Sequence, residues 1–124
     1  MAKTLDDSVI DGSLNIVKNG ATQLCLCSAQ PTTYAEATAT YMLVLKTGLT
    51  SGSFTGPVNG DVSGRKLTVN AITGTSVTNS GTAIYVALCS GTTLLLVDTC
   101  TSQGLTAGNT VNTPAFKWEI TDPT

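Results

Sequence analysis

From Ala21 onward the chain breaks into short runs rich in Thr, Val, Ile, Leu and Tyr, punctuated at nearly regular intervals by Gly, Asn, Pro and Ser. β-Branched and aromatic side chains suit a pleated, half-buried surface, and the punctuating residues supply turns. The pattern therefore predicts a mainly β fold, a β-sandwich or small β-barrel. Strands are expected over about 22–28, 39–46, 65–72, 75–79, 82–89, 93–100, 109–112 and 115–121. The opening residues read differently. Thr4 can cap a helix with Asp6 and Asp7 in its first turn, Val9, Ile10, Leu14 and Val17 recur near helical spacing, and Lys18 precedes an Asn19-Gly20 stop. One N-terminal α-helix over about 5–19 is the reading, with Gly12 inside it. At 124 residues the chain is expected to form one domain, 1–124, burying roughly two-thirds of the surface of its unfolded form.

Two segments sharpen the β assignment. In Ala115-Phe116-Lys117-Trp118-Glu119-Ile120 the large apolar residues alternate with small or charged ones, so one face of that strand is wet. In TAIYVALCSGTTLLLVDTC, Ser90-Gly91-Thr92 separates two apolar runs and predicts a hairpin. The near-continuous hydrophobicity of those runs requires cover on both hairpin faces. Pro114 and Pro123 punctuate the last strand on either side. The segment 47–64, with Gly48, Gly52, Gly56, Pro57, Gly60 and Gly64, reads as a long loop that packs on a partner or covers a sheet edge, with disorder as the alternative. Within and just after it, Phe54, Val58, Arg65 and Lys66 are the candidate partner-contact residues.

The four cysteines pose a separate question. On a strand, Cys25 and Cys27 share one face and Leu24 and Leu26 the other, too far along one strand for a mutual bond and too close for a CxxC redox pair. Zinc would need Cys89 and Cys100 as further ligands, at a spacing unlike ribbons or fingers, in a chain without histidine. The thiols therefore read as small buried hydrophobes. A disulfide between the first pair and the second, formed only after release from the cell, is the alternative.

Composition excludes several function classes. Without histidine the usual serine and cysteine triads lose their base, and the eight carboxylates are scattered. No enzyme activity, metal or cofactor is expected. Gly60-Asp61-Val62-Ser63-Gly64-Arg65-Lys66 superficially resembles a phosphate loop but precedes a strand, which removes the helix dipole such a site uses. Six basic residues stand against eight acidic, for a formal charge of -2, with no basic cluster beyond Arg65-Lys66, so neither nucleic acid nor an anionic membrane is an expected partner. The N-terminal MAKTLDDSVIDG has no continuous apolar core, and no apolar run reaches the length of a membrane span. Synthesis in the cytoplasm without membrane insertion is the expectation.

The opening AKTLDDSVIDGSLNIVKNGAT, the segments CSAQPTTYAEAT, GDVSGRKLTV and SGTAIYVAL, and the ending TAGNTVNTPAFKWEITDP resemble a family of small virion structural proteins from the head region of tailed bacteriophages and prophages. The resemblance spans nearly the whole chain. Where those proteins often carry a histidine in the central hairpin, this chain has Tyr85, which marks a packing position. The resemblance implies assembly: a capsid decoration, or cement, protein located in the virion. Its partner would be the major capsid protein of a phage head, and a homo-oligomer such as a trimer fits the same role. A tail, head-to-tail connector or fibre component is the nearest alternative, and a small secreted or regulatory binding domain is one of another class.

Overall fold

The computed structural model describes residues 4–122. The fold is mainly β with one N-terminal helix, and among the described residues the sheets stay open, so the sandwich is the form realised of the two expected. The helix α1, Asp7–Gly20, begins two residues later than Thr4 would place it. Asp6 is the cap because its carboxylate accepts the Ser8 amide at 2.9 Å, satisfying one of the orphan N–H groups of the first turn. Gly20 completes the helix and is not a left-handed stop. The chain leaves through extended Ala21 and is drawn straight into the sheet, where the Thr22 amide donates to the Cys89 carbonyl at 2.9 Å.

The strands are β1 (Gln23–Cys27), β2 (Met42–Lys46), β3 (Phe54–Asn59), β4 (Arg65–Val69), β5 (Ile72–Ser76), β6 (Gly81–Cys89), β7 (Leu94–Leu105), β8 (Thr110–Thr113) and β9 (Phe116–Ile120). They form an antiparallel four-stranded sheet in the order β2-β1-β6-β7, a three-stranded sheet β3-β4-β9 and a β5-β8 ribbon. The expected hairpin is β6–β7. Ser90 closes it by accepting the Thr92 and Thr93 amides on its hydroxyl and donating its own amide to the Thr93 carbonyl. Pro123, the expected punctuation after β9, lies outside the described residues.

Two expectations are corrected. Residues 39–41 are not strand: Glu36–Thr40 forms a π-helical turn, and β2 starts only at Met42. The segment 47–64 is not one loop. A short 3₁₀ turn, Ser51–Ser53, leads into β3, which pairs with β4 from Phe54↔Val69 to Asn59↔Arg65 with an irregularity between Thr55 and Val58. Gly56 and Pro57 sit in that irregularity, and β3 is an edge strand, so the N–H that Pro57 lacks is not needed by the ladder.

The main core lies between the two larger sheets and α1. Ile10 and Leu14 come from the helix, Leu24, Leu26, Val86 and Leu88 from the four-stranded sheet, and Phe54, Leu67 and Val69 from the other, while Phe116, Trp118 and Ile120 of β9 pack against it half-buried. The opposite face of β1 and β6 holds a second cluster, Cys25, Cys27, Ala87 and Cys89, covered by Ala37 of the π-turn with Tyr34 and Tyr41 alongside. The alternation of LCLC thus puts its leucines into one core and its cysteines into the other. Tyr85 packs against the cysteine cluster.

Candidate interaction surface

A clasp between α1 and the β3–β4 hairpin fixes the surface around residues 58–66. The Arg65 guanidinium donates to both Asp11 carboxylate oxygens, at 2.8 and 3.2 Å, and to the Asn59 side-chain oxygen at 2.8 Å. It also donates to the Pro57 carbonyl at 3.3 Å. Such a forked, charge-assisted contact holds direction as well as distance. Lys18, from the last helical turn, donates to the Gly56 carbonyl at 2.7 Å and ties the other end of α1 to β3.

The loop that joins β3 to β4 is locked equally firmly. The Gly60 amide donates to the Gly64 carbonyl at 2.9 Å, closing a tight turn. The Asp61 amide donates to the Glu119 carboxylate, and Asp61 in turn pairs with Lys66 and Lys117. In the phosphate-like segment a loop amide is therefore held by the chain's own carboxylate. Both glycines are needed where they stand. A Cβ at Gly60 would collide with the Ser63 carbonyl and the Glu119 carboxylate, and one at Gly64, which has φ +69°, with the Ile120 carbonyl.

The candidate contact residues divide on this frame. Phe54 is a core residue, 5% exposed, with no surface to offer a partner. Arg65 is engaged in the clasp and Lys66 in the Asp61 pair. Val58 is exposed. Sequence reasoning passed over Val62, which at 91% exposure stands at the tip of the locked loop. Its signal was present: an apolar residue between Gly60 and Gly64 falls at the apex of a tight turn, where nothing in the chain can cover it.

A second feature is a cleft along β7. Between Tyr85↔Thr99 and Ala83↔Gln103 the register slips, so Cys100, Thr101 and Ser102 face Ile84 alone. This bulge bends β7 and opens adjoining cavities of about 410 and 250 Å³ against β8 and Pro114, floored by Leu26 and Ala83 or Val86. Walls of threonine, glutamine and asparagine around an apolar floor can accept an apolar group, and Cys100 is the one ionisable side chain in the lining.

All four cysteines are free, yet only Cys25, Cys27 and Cys89 are fully buried. Cys100 is half-buried in the cleft wall, which corrects the expectation that every thiol is a core residue. Burial, followed by the nearby Cys89 and Cys100, pushes the Cys27 thiol up to about 12. Its Sγ donates to the Ala37 carbonyl at 3.6 Å. The Cys25 thiol is raised by its hydrogen bond with Cys89 and by burial. Burial and then Asp98 raise Cys100 as well. An alkylating reagent is therefore expected to label Cys100 alone in the native protein, slowly at neutral pH and faster as pH rises past the ordinary thiol value. Mass mapping of the labelled site checks this, and prompt native labelling of Cys25, Cys27 or Cys89 would contradict the burial argument. Among the described residues, no group of three His, Cys, Asp or Glu side chains is placed to hold a metal ion.

Comparison of the chain with protein-family models, with curated proteins and with solved structures returned no match.

Proposed function

We propose that this chain is a virion structural protein of a tailed phage, a decoration protein that binds the assembled head and strengthens it. The observation that supports the reading best is the locked β3–β4 hairpin presenting Val62 and Val58. Holding an exposed apolar tip rigid confers nothing on the chain's own core, whereas a preorganised projection loses little freedom when it docks. The resemblance to head-region proteins, the low charge and the hydroxyl-rich surface agree with a module that sits on protein and faces water. In this reading the chain has no catalytic role and takes no cofactor, nucleic acid or membrane as partner.

One small module covers only about 800 Å² per partner, an area that does not ensure tight binding. Sites shared by neighbouring capsid subunits exist only after assembly, so the lattice supplies the selectivity. Labelled protein sedimented with decoration-stripped, expanded heads is expected to bind far more strongly than it binds free capsid protein, and to raise the heads' resistance to heat. Val62→Asp should abolish that binding and leave the melting temperature unchanged, since the side chain touches nothing buried. Equal affinity for unassembled capsid protein, or no gain in heat resistance, would move the assignment to a tail, connector or fibre component. Copy number in purified particles separates these: hundreds for decoration, a dozen or fewer for the others.

A further inference from the structure

The cleft along β7 is a hollow that the chain's own side chains do not fill. Its cavities of about 410 and 250 Å³ share Leu26, Cys100, Thr101, Thr113 and Pro114 in their lining and so form two arms of one space. Protein interiors are close-packed, and voids larger than a water molecule are few. Here the floor consists of core residues, Leu26, Ala83 and Val86, which are 6%, 1% and 3% exposed. Ala83 stands where β6 and β7 slip register, and its single methyl group keeps the larger arm deep. That arm alone lies within the range of about 300–1,000 Å³ typical of small-molecule sites. The far wall is fixed by the chain's own hydrogen bonds. β8 pairs with β5, and the turn before it is tied down by the Ala107 amide to the Ser80 hydroxyl at 2.9 Å and by the Gly108 amide to the Val77 carbonyl at 3.0 Å.

The lining decides what can enter. It contains no Asp, Glu, Lys or Arg. An anion would find no cation to pair with, and burial and then Asp98 already raise the Cys100 thiol, so negative charge is disfavoured where the two arms meet. A cation would find no carboxylate in the lining and would lose hydration without an ion pair in exchange. Neutral hydrogen-bonding groups are abundant instead. The Asn112 side-chain oxygen accepts the Gly74 amide at 2.8 Å, and the Gln103 side chain reaches only the Gly104 carbonyl at 3.4 Å. The hydroxyls of Thr99, Thr101, Thr110 and Thr113 have no protein partner among the described residues.

We infer that this cleft is a binding site for a neutral small molecule with an apolar body and a hydrogen-bonding group at its edge. The body lies on Leu26, Ala83 and Val86, and the edge group meets the threonine hydroxyls. Burial over an apolar floor drives such a molecule out of water, and a neutral one loses least on entering a space without charges. A strand from another chain does not fit, because the bulge at Cys100 bends β7 out of a flat ladder. Cys100 lines both arms, so its thiol reports their occupancy. The inference does not depend on the virion assignment and is testable on the isolated protein.

N-phenyl-1-naphthylamine, a neutral probe that fluoresces in apolar surroundings, is expected to bind saturably at one site per chain. 1-Anilinonaphthalene-8-sulfonate, which carries the same rings and an added sulfonate, should bind about tenfold more weakly or worse. At saturation the neutral probe should slow alkylation of Cys100 by about fivefold or more, read by mass mapping. Ala83→Leu, which fills the floor, and Thr101→Trp, which fills the space from the wall, should each weaken binding of the neutral probe by about tenfold or more. Thr101 is exposed, so its variant keeps the test decisive if Ala83→Leu fails to fold. Equal binding of the two probes, an unprotected Cys100, or undiminished binding by a folded Thr101→Trp variant would each overturn the inference, the last by placing the probe on exposed residues such as Val62 and Ile16. Binding that never saturates would also overturn it and mark the cleft as a water-filled crevice only.

Discussion

Leu14→Asp is expected to cost at least about 4 kcal/mol of folding stability and to leave the chain largely unfolded at moderate temperature. Leu14 is 1% exposed and packs with Ile10 in the main core between helix and sheets. Removing the leucine forfeits about 2–3 kcal/mol of apolar burial. The carboxylate that replaces it must then either stay charged in an apolar site or take up a proton there, and either adds several kcal/mol more. Against a total stability of about 5–15 kcal/mol for a native protein, that is decisive. Ile16→Asp, two residues along on the opposite face, is the internal control and should shift stability by no more than about 0.5 kcal/mol. Urea titrations of both variants followed by circular dichroism distinguish the cases. If Leu14→Asp melted like wild type, the helix would not be part of the core.

The helix, the β-rich body and the β6–β7 hairpin were legible in the sequence because each has a local signature. The helix shows a 3.6-residue repeat over Ile10, Leu14 and Val17, and the hairpin shows two apolar runs around Ser90-Gly91-Thr92. LCLC was legible for the same reason, since alternation alone assigns its two faces. β3 was not, because Gly56 and Pro57 interrupt its pattern and its pairing with β4 slips at that point. The π-turn at Glu36–Thr40 was hidden by threonines that serve strands equally well.

The candidate surface was only half legible, and for a different reason. Arg65 looks free in the sequence because its carboxylate partner, Asp11, is 54 residues away, and although Lys66 pairs with Asp61 only five residues earlier, the Glu119 that anchors the Asp61 loop is 58 residues from it. Long-range electrostatic contacts leave no periodicity to read. Phe54 looked like a loop aromatic only because β3 had not been recognised. Once it is placed opposite Val69 in the ladder, its burial follows. Val62, Val9 and Ile16 were visible as residues, but their exposure depends on knowing what the rest of the chain covers.

Sheet edges show the same dependence on tertiary context. The outer edge of β2 is covered by residues 77–79, where the Thr78 and Asn79 amides both donate to the Leu43 carbonyl. β9 carries Lys117 and Glu119, charges that discourage pairing with another strand. β7, the longest strand, pairs with β6 alone among the described residues and carries Asp98 as its one charge, yet the bulge at Cys100 bends it away from a flat template. Edge-to-edge aggregation is thus opposed by geometry at β7, by cover at β2 and by charge at β9.

Gly64→Ala, a change of one methyl group, is expected to be the most damaging small substitution in the chain, at about 3 kcal/mol or more. Two costs combine. Position 64 has φ +69°, a conformation that disfavours a side chain by about 1–2 kcal/mol. The added Cβ would also lie on the Ile120 carbonyl, a backbone atom that cannot rotate away as a side chain could. Relief requires β9 to move off β4 at the Arg65↔Ile120 pair, next to the guanidinium that clasps α1. The damage should therefore spread from the turn to the helix. Thermal melts should show a drop of ten degrees or more, and amide NMR shifts should move at residues 58–66, 117–121 and 7–11 together. Gly48→Ala, also at positive φ but with open space around its Cβ, isolates the conformational cost and should lose only about 1–2 kcal/mol. Val62→Asp completes the comparison, because it removes the apolar tip and leaves the lock intact. If Gly64→Ala melted within a degree of wild type, the hairpin would not be rigid, and the preorganised projection that supports the decoration reading would lose its physical basis.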